Sequence, residues 1–207
     1  MFHIPLTSLG AHFGNIDIYL FDQLLKGNIS QGMKLLDAGC GEGRNIQYLM
    51  QAGVKVYGAD TSEQAIEKVR SMAAELAPTL SPKNFAVADL ASLPFDDAAF
   101  DVVACSAVLH FAKSEDHFRS MAMELWRVLK PGGMLFCRLS TTIGMEGKLK
   151  QIGHKLYQMP YDQVWFLADE GLLNELITGW QAEKLEPLKT VLVEQERSMT
   201  TLVLRKT

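Results

Sequence analysis

Apolar runs and amphipathic segments alternate along this chain with little between them. "MKLLDAG" (33–39) is a short apolar run closed by glycine, the pattern of a buried strand. "RNIQYLMQAG" (44–53) carries Ile46, Leu49 and Met50 at helical spacing and ends on Gly53, suited to a helix C-terminus. "VKVYGAD" (54–60) alternates as a strand does, and "TSEQAIEKVRSMAAEL" (61–76) opens on Thr61 or Ser62 as helix cap, with Ile66, Val69 and Met72 or Ala73 on one face. The cycle continues with strands at 84–89, 99–109 and 134–140, a helix over 114–129, and "KPGG" (130–133) as a sharp stop. A helix is expected over 166–179, with Asp169 its cap. Two strands then follow, joined by a polar turn near Glu196–Arg197. Repeated strand–helix–strand units mean a parallel sheet with helices on both faces, and a final hairpin demands antiparallel pairing. The expectation is one α/β domain over 1–207: a doubly wound, seven-stranded, mostly parallel sheet with a C-terminal antiparallel hairpin strand.

Two segments fall outside the cycle. Residues 1–30 are expected to contain a cap helix with Ile18, Phe21, Leu24 and Leu25 apolar, and residues 141–166 to form either a lid or a helix covering a sheet edge.

Composition narrows the class. The 207 residues are 48% apolar and 21% charged, as in a globular domain. A net charge of −4 and a pI near 5.7 provide no global field toward phosphate backbones. The lysines of "GKLKQIGHK" (147–155) are the only candidate basic patch, and a solvated helix face explains them more simply. Cys40, Cys105 and Cys137 show no CxxC spacing, so they read as buried, inert thiols. The start lacks a secretory signal pattern and no apolar run approaches the ~18 residues of a membrane span, so a cytoplasmic protein is expected.

The chemistry gathers at strand ends. In an open parallel sheet ligands sit beyond the carboxyl ends of the strands. "DAGCGEG" is the first βα turn, where glycine permits positive φ and close ligand approach, and a helix starting near Gly43 would present free N–H groups to an anion. Asp60 ends the second strand, where a carboxylate can accept both hydroxyls of a ribose. Asp89, after the third strand, can accept from an adenine amino group. A dinucleotide and S-adenosylmethionine both suit this frame, although the loop reads GxGxG rather than GxGxxG.

Four ordered blocks sharpen it. "LLDAGCGEG", "VYGADTSEQAI", "ADLASLPFDDAAFDVVACSAVLHF" and "ELWRVLKPGGMLFC" together resemble the class I S-adenosylmethionine-dependent methyltransferases, from about residue 33 to the C-terminus. The resemblance implies a Rossmann-like methyltransferase fold and S-adenosylmethionine as cofactor. It implies that Ala38, Gly39 and Gly41 line the methionine moiety, with Asp37 reaching its ammonium. Asp60 would hold the ribose, Thr61 flank the adenine, and Asp89 with Leu90 read its edge. Ser106 would sit near the transferring methyl, and Arg44 either assists the carboxylate or is a solvated first-turn residue. No pattern of metal ligands stands in the sequence. His110, just after the fourth strand, is the candidate base, against a packing role. His12, His154 and Tyr157 read as structural or solvent-facing. Tyr19, Tyr161, Trp165 and Phe166 could wall a pocket. A small-molecule acceptor is expected. Methylation of nucleic acid or protein, a non-catalytic cofactor-binding module and a dinucleotide oxidoreductase are the alternatives.

Overall fold

The computed structural model describes residues 5–207, apart from the side chains of Leu6 and Tyr161, so the expectation for Tyr161 lies outside the described residues. The elements in chain order are α1 (Leu9–Phe13), α2 (Ile18–Leu25), β1 (Lys34–Ala38), α3 (Gln47–Gln51), β2 (Lys55–Asp60), α4 (Glu63–Leu76), β3 (Phe85–Val87) and β4 (Phe100–Ser106). They continue with α5 (Glu115–Val128), β5 (Leu129–Thr141), β6 (Lys150–Gly153), β7 (Leu156–Gln158), β8 (Val164–Phe166), α6 (Glu170–Gly179), β9 (Glu183–Lys184), β10 (Lys189–Val193) and β11 (Arg197–Arg205).

The main sheet has the order β10-β11-β5-β4-β1-β2-β3, with the short β9 also paired to β11. Strands β3, β2, β1, β4 and β5 are parallel, and β11 lies antiparallel to both β5 and β10. This is the expected doubly wound sheet with its antiparallel ending, plus one short extra strand. Successive residues of a strand face opposite sides, so both faces must be apolar when helices cover both. Leu36, Val103, Cys105 and Cys137 pack with Phe118, Leu125 and Leu173 of α5 and α6. Their neighbours Leu35, Val102, Ala104 and Phe136 pack with Leu20, Leu49, Ile66 and Val69 of α2, α3 and α4. The three cysteines are buried free thiols within these two layers.

The expected caps form where the chain offers them. Ser62 accepts from Ala65 N–H at 3.2 Å, and Asp169 accepts from Leu172 N–H at 2.7 Å. Three expectations are corrected. Residues 130–133 do not end in a sharp stop: β5 runs through them, with a shift in pairing opposite Phe100–Val102 and Gly132 N–H donating to Lys206 O at 2.6 Å. Residues 141–166 hold no covering helix, but the antiparallel sheet β6–β7–β8, turned at His154–Lys155 with Lys155 at φ 53°. The lysines there lie on this sheet and its turns rather than on a helix face. The helix after the glycine loop starts at Gln47 rather than Gly43, because Gly43 at φ 86° is not helical. The expected N-terminal helix forms as α2, which buries Leu20 and Gln23 and leaves Ile18 and Leu25 largely exposed. No helix among the described residues is long and apolar enough to cross a membrane.

Candidate functional site

Four strand ends lie side by side in the order β4, β1, β2, β3, and each delivers a polar group. Ser106 closes β4, Asp37 and Ala38 close β1, Asp60 closes β2, and Asp89 lies two residues past β3. Sequence order reverses between β1 and β4, the place where open α/β sheets leave a crevice. A cleft of about 590 Å³ occupies it, lined by Gly39, Arg44, Asp60, Thr61, Asp89, Leu90 and Ser106 together with Val108, Phe111, His117 and Met121 among others.

The glycine loop makes the cleft possible. Gly39 sits at φ 80°, its N–H bonded to Ala59 O at 2.7 Å, and a Cβ there would stand 2.3 Å from Val108 Cγ2. No L side chain fits that position without displacing Val108. Gly41, at φ 50°, donates its N–H to Asp60 Oδ2 at 2.9 Å, and a Cβ on it would meet open space. The second Asp60 oxygen accepts from Ser62 N–H at 2.9 Å, so loop and strand end hold that carboxylate in place.

Asp37 lies beneath, fully buried, and neither carboxylate oxygen has a hydrogen-bond partner among the described residues. Burial pushes its carboxyl up to about 7; the Arg44 guanidinium opposes this and the Asp60 carboxylate adds to it. Asp89 is of the opposite kind. It is half-exposed, accepts from Ala91 N–H at 2.8 Å, and has His117 Nε2 at 3.6 Å. The bond from Ala91 is the main influence holding its carboxyl below the usual range. His117 Nδ1 accepts from Lys113 N–H at 3.1 Å, which leaves Nε2 as the protonated nitrogen facing Asp89.

The β4 end carries a network the sequence reading missed. Ser106 Oγ donates to Asp17 Oδ2 at 3.0 Å and accepts from Arg44 Nη2 at 3.3 Å. Arg138 Nη1 also donates to Asp17 Oδ2, at 3.3 Å, and its Cζ stands 5.2 Å from the Tyr19 ring centroid. Asp17 Oδ1 accepts from Tyr19 N–H at 2.9 Å as the cap of α2. The one signal for Arg138 in the sequence is a lone charge in the alternation of "MLFCRLS". Asp17 had none beyond its place before a helix.

Of the ten candidate cofactor residues, seven line the cleft, and Asp37, Ala38 and Gly41 sit directly behind or beside it. His110 is not brought there. It lies in a 3₁₀ turn (Leu109–Phe111), is 3% exposed, and packs against Trp165 with ring centroids 4.3 Å apart and the planes tilted by 37°. Its Nδ1 accepts from Ser140 N–H at 3.4 Å, and burial lowers its pKa to about 4. The geometry is that of a packing histidine. Among the other expected wall residues, Phe166 is buried in the core against Phe118, while Trp165 reaches the cleft only through Phe111, 6.0 Å between centroids. His12 packs edge-on to Tyr48, His154 Nε2 lies 2.9 Å from Glu115, and Tyr157 is half-buried in β7.

Residues 36–137 match the family described as a methyltransferase domain. This is the segment from β1 into β5 that supplies every strand end of the cleft. The chain belongs to the class I S-adenosylmethionine-dependent methyltransferases. Over 195 residues this methyltransferase is 29% identical to the uncharacterized methyltransferase YodH of Bacillus subtilis (strain 168), covering 93% of this chain and 77% of that one. Over 152 residues it is 28% identical to the malonyl-[acyl-carrier protein] O-methyltransferase of Enterobacter lignolyticus, covering 72% and 55%. The methyltransferase thus spans about half the length of several curated relatives it matches. Its fold is shared with a methyltransferase from Methanosarcina mazei (TM-score 0.71, 20% identity, covering 88% of this chain and 96% of that one). It is shared too with the 1,6-didemethyltoxoflavin-N1-methyltransferase of Burkholderia thailandensis (TM-score 0.69, 19% identity, 98% and 81%).

Proposed function

We propose that this methyltransferase transfers the methyl group of S-adenosylmethionine to a small-molecule acceptor whose reacting atom carries a free lone pair at neutral pH. The observation that carries the cofactor assignment is Asp37, a buried carboxylate with neither oxygen partnered behind a glycine loop that leaves open space. Leaving such a group unpaired is costly, and a cation beside it removes the cost. A methionine ammonium is that cation. The cleft residues fit the remainder. Asp60, held by Gly41 and Ser62, would accept the ribose hydroxyls with Thr61 beside the base, and Asp89 with the buried Leu90 would take the adenine edge. The backbone at Ala38, Gly39 and Gly41 would run along the methionine chain, with Arg44 toward its carboxylate and Ser106 nearest the methyl group.

When bound, the cofactor supplies an activated methyl group on a positively charged sulfur. The protein's part is alignment, in a cleft whose apolar lining includes Val108, Phe111 and Met121. Such positioning lowers a barrier by as much as ~7–11 kcal/mol. His110 is neutral, buried and outside the lining, and His117 is turned to Asp89, so no cleft histidine is left to take a proton from the acceptor. An acceptor that needs no histidine base fits this arrangement.

Several relatives named for a malonyl group on acyl carrier protein or for phosphoethanolamine support a metabolite as acceptor, and the net charge of −4 gives no support to a nucleic acid. In this reading the described part of the N-terminal segment, residues 5–30, caps the site and β6–β8 wall it through Trp165 and Phe111. Calorimetric titration with S-adenosylmethionine and with NADH tests the cofactor, and an acceptor screen read by S-adenosylhomocysteine release tests transfer. Binding of NADH in preference, or no turnover with any small acceptor, would overturn the proposal.

A further inference from the structure

We propose that Arg138, with Ser106 and Tyr19 beside it, is the recognition site for a carboxylate on the methyl acceptor, and that Asp17 fills this site as the protein's own stand-in. The inference rests on the methyl-transfer reading above and names the acceptor's chemical class.

The strand faces bring the groups together. On β5 the residues Met134 and Phe136 point into the layer beneath α2, α3 and α4, and the same face ends in Arg138. On β4, Val102 and Ala104 lead in the same way to Ser106, which pairs in register with Arg138. A guanidinium and a hydroxyl therefore stand side by side at neighbouring strand ends. Their position is telling. The acids proposed for the nucleoside follow β2 and β3, whereas β5 lies beyond β4 on the other side of the cleft. A ligand group at Arg138 would be at the end away from the nucleoside, where an acceptor must approach.

Arg138 is incompletely used. Asp17 takes Nη1 alone, at 3.3 Å, while Nε is buried and has no hydrogen-bond partner among the described residues. Nε belongs to the guanidinium edge that forks around a carboxylate. A buried, unpaired donor on a charged group is a feature that proteins rarely keep without a ligand. The chemistry of that ligand is already displayed: two arginines and a serine hydroxyl converge on the carboxylate of Asp17, which is 2% exposed with Arg44 Nη2 at 4.0 Å. Asp17 belongs to the N-terminal segment and not to the sheet. It starts a helix that buries only Leu20 and Gln23, and Gly14, at φ 66°, joins it to α1. Its carboxylate is held by Ser106, Arg138 and the Tyr19 N–H, and a carboxylate arriving from solution would take over the first two of these partners.

The test uses the full chain saturated with S-adenosylhomocysteine, titrated with sodium benzoate, benzamide and inorganic phosphate and followed by calorimetry. Benzoate is expected to bind at least tenfold more tightly than the other two. Arg138→Gln should weaken benzoate at least tenfold while leaving S-adenosylhomocysteine within about threefold, and Arg138→Lys should restore only part of the loss. Asp17→Asn keeps a helix-capping side chain but removes the competing charge, and should tighten benzoate several-fold. That gain cannot come from misfolding. Equal binding of benzamide or phosphate, no benzoate binding, or no gain in Asp17→Asn would each overturn the proposal. A chain that fails to bind S-adenosylhomocysteine would instead sink the methyl-transfer reading, and this inference with it.

Discussion

Asp37→Asn should make this protein more stable at pH 8 and loosen its hold on the cofactor. Burial raises the Asp37 carboxyl from an ordinary 3.8 to about 7. The folded value exceeds the unfolded one, so the protonated form is favoured by folding. That stability is fully present below about pH 4 and is lost as pH rises through 7. At about 1.4 kcal/mol per pH unit, the gap corresponds to roughly 4 kcal/mol at pH 8. An asparagine of the same shape avoids the buried charge but leaves an amide unsatisfied, at about 1–3 kcal/mol. A net gain of about 1–3 kcal/mol at pH 8, turning into a net loss of about 1–3 kcal/mol near pH 4 where only the unsatisfied amide is left, is expected in urea unfolding without ligand. The ligand reverses the sign. If the methionine ammonium needs the ionised carboxylate, S-adenosylhomocysteine should bind the parent about tenfold more tightly at pH 8 than at pH 6, since the ionised fraction rises about tenfold across a pKa of 7. Methylthioadenosine, which lacks the amino-acid end, should show no such dependence. Asp37→Asn should abolish the pH dependence and weaken S-adenosylhomocysteine by about two orders of magnitude in calorimetry. Undiminished binding in Asp37→Asn, or lower stability than the parent at pH 8, would refute the reasoning.

Three further outcomes follow from the same geometry. Asp60→Ala removes a carboxylate that holds Gly41 and Ser62, and should weaken S-adenosylmethionine about 10–100-fold in calorimetry, as expected for charge-assisted hydrogen bonds of ~1.5–3 kcal/mol. Gly39→Ala should destabilise by at least about 2 kcal/mol through its positive φ and the clash with Val108, and adding Val108→Ala should recover part of this in thermal unfolding. His110→Gln should leave turnover within a fewfold of the parent. Because the His110 pKa falls from 6.5 to about 4, its neutral form supports the fold above pH 6.5, and that support is lost as pH falls toward 4. Asp37 slopes the other way across much of that window, so only the difference between each variant and the parent, read from urea midpoints at pH 7 and 5, isolates one group.

The order of strands and helices was legible in the chain because both faces of a parallel sheet are buried. Leu35–Leu36, Val102–Val103 and Phe136–Cys137 must all be apolar, and such runs stand out between polar turns. The strand-end acids Asp37, Asp60 and Asp89 and the glycines before α3 were legible for a related reason. Their spacing follows from the length of a strand–turn–helix unit, and nothing distant has to be known. Local signals misled where tertiary packing chose among equivalent options. In α2 the apolar residues include Ile18 and Leu25, yet the helix buries Leu20 and Gln23 and leaves those two exposed, a choice made by the neighbours it packs against. "KPGG" has the composition of a turn, but β4 and Lys206 pair with it and extend β5 through it.

The sequence alone determined the sheet, its direction of winding and the cofactor end of the cleft, because these depend on periodicity and on contacts within one repeating unit. Only the tertiary structure decided that His110 lies under Trp165 rather than at the reacting atoms, and that Asp17, Arg44, Ser106 and Arg138 converge although they span 121 positions of the chain. A side chain's direction and the charge that meets it are set by which strands become neighbours. That is a property of the folded sheet, and no local window of the chain contains it.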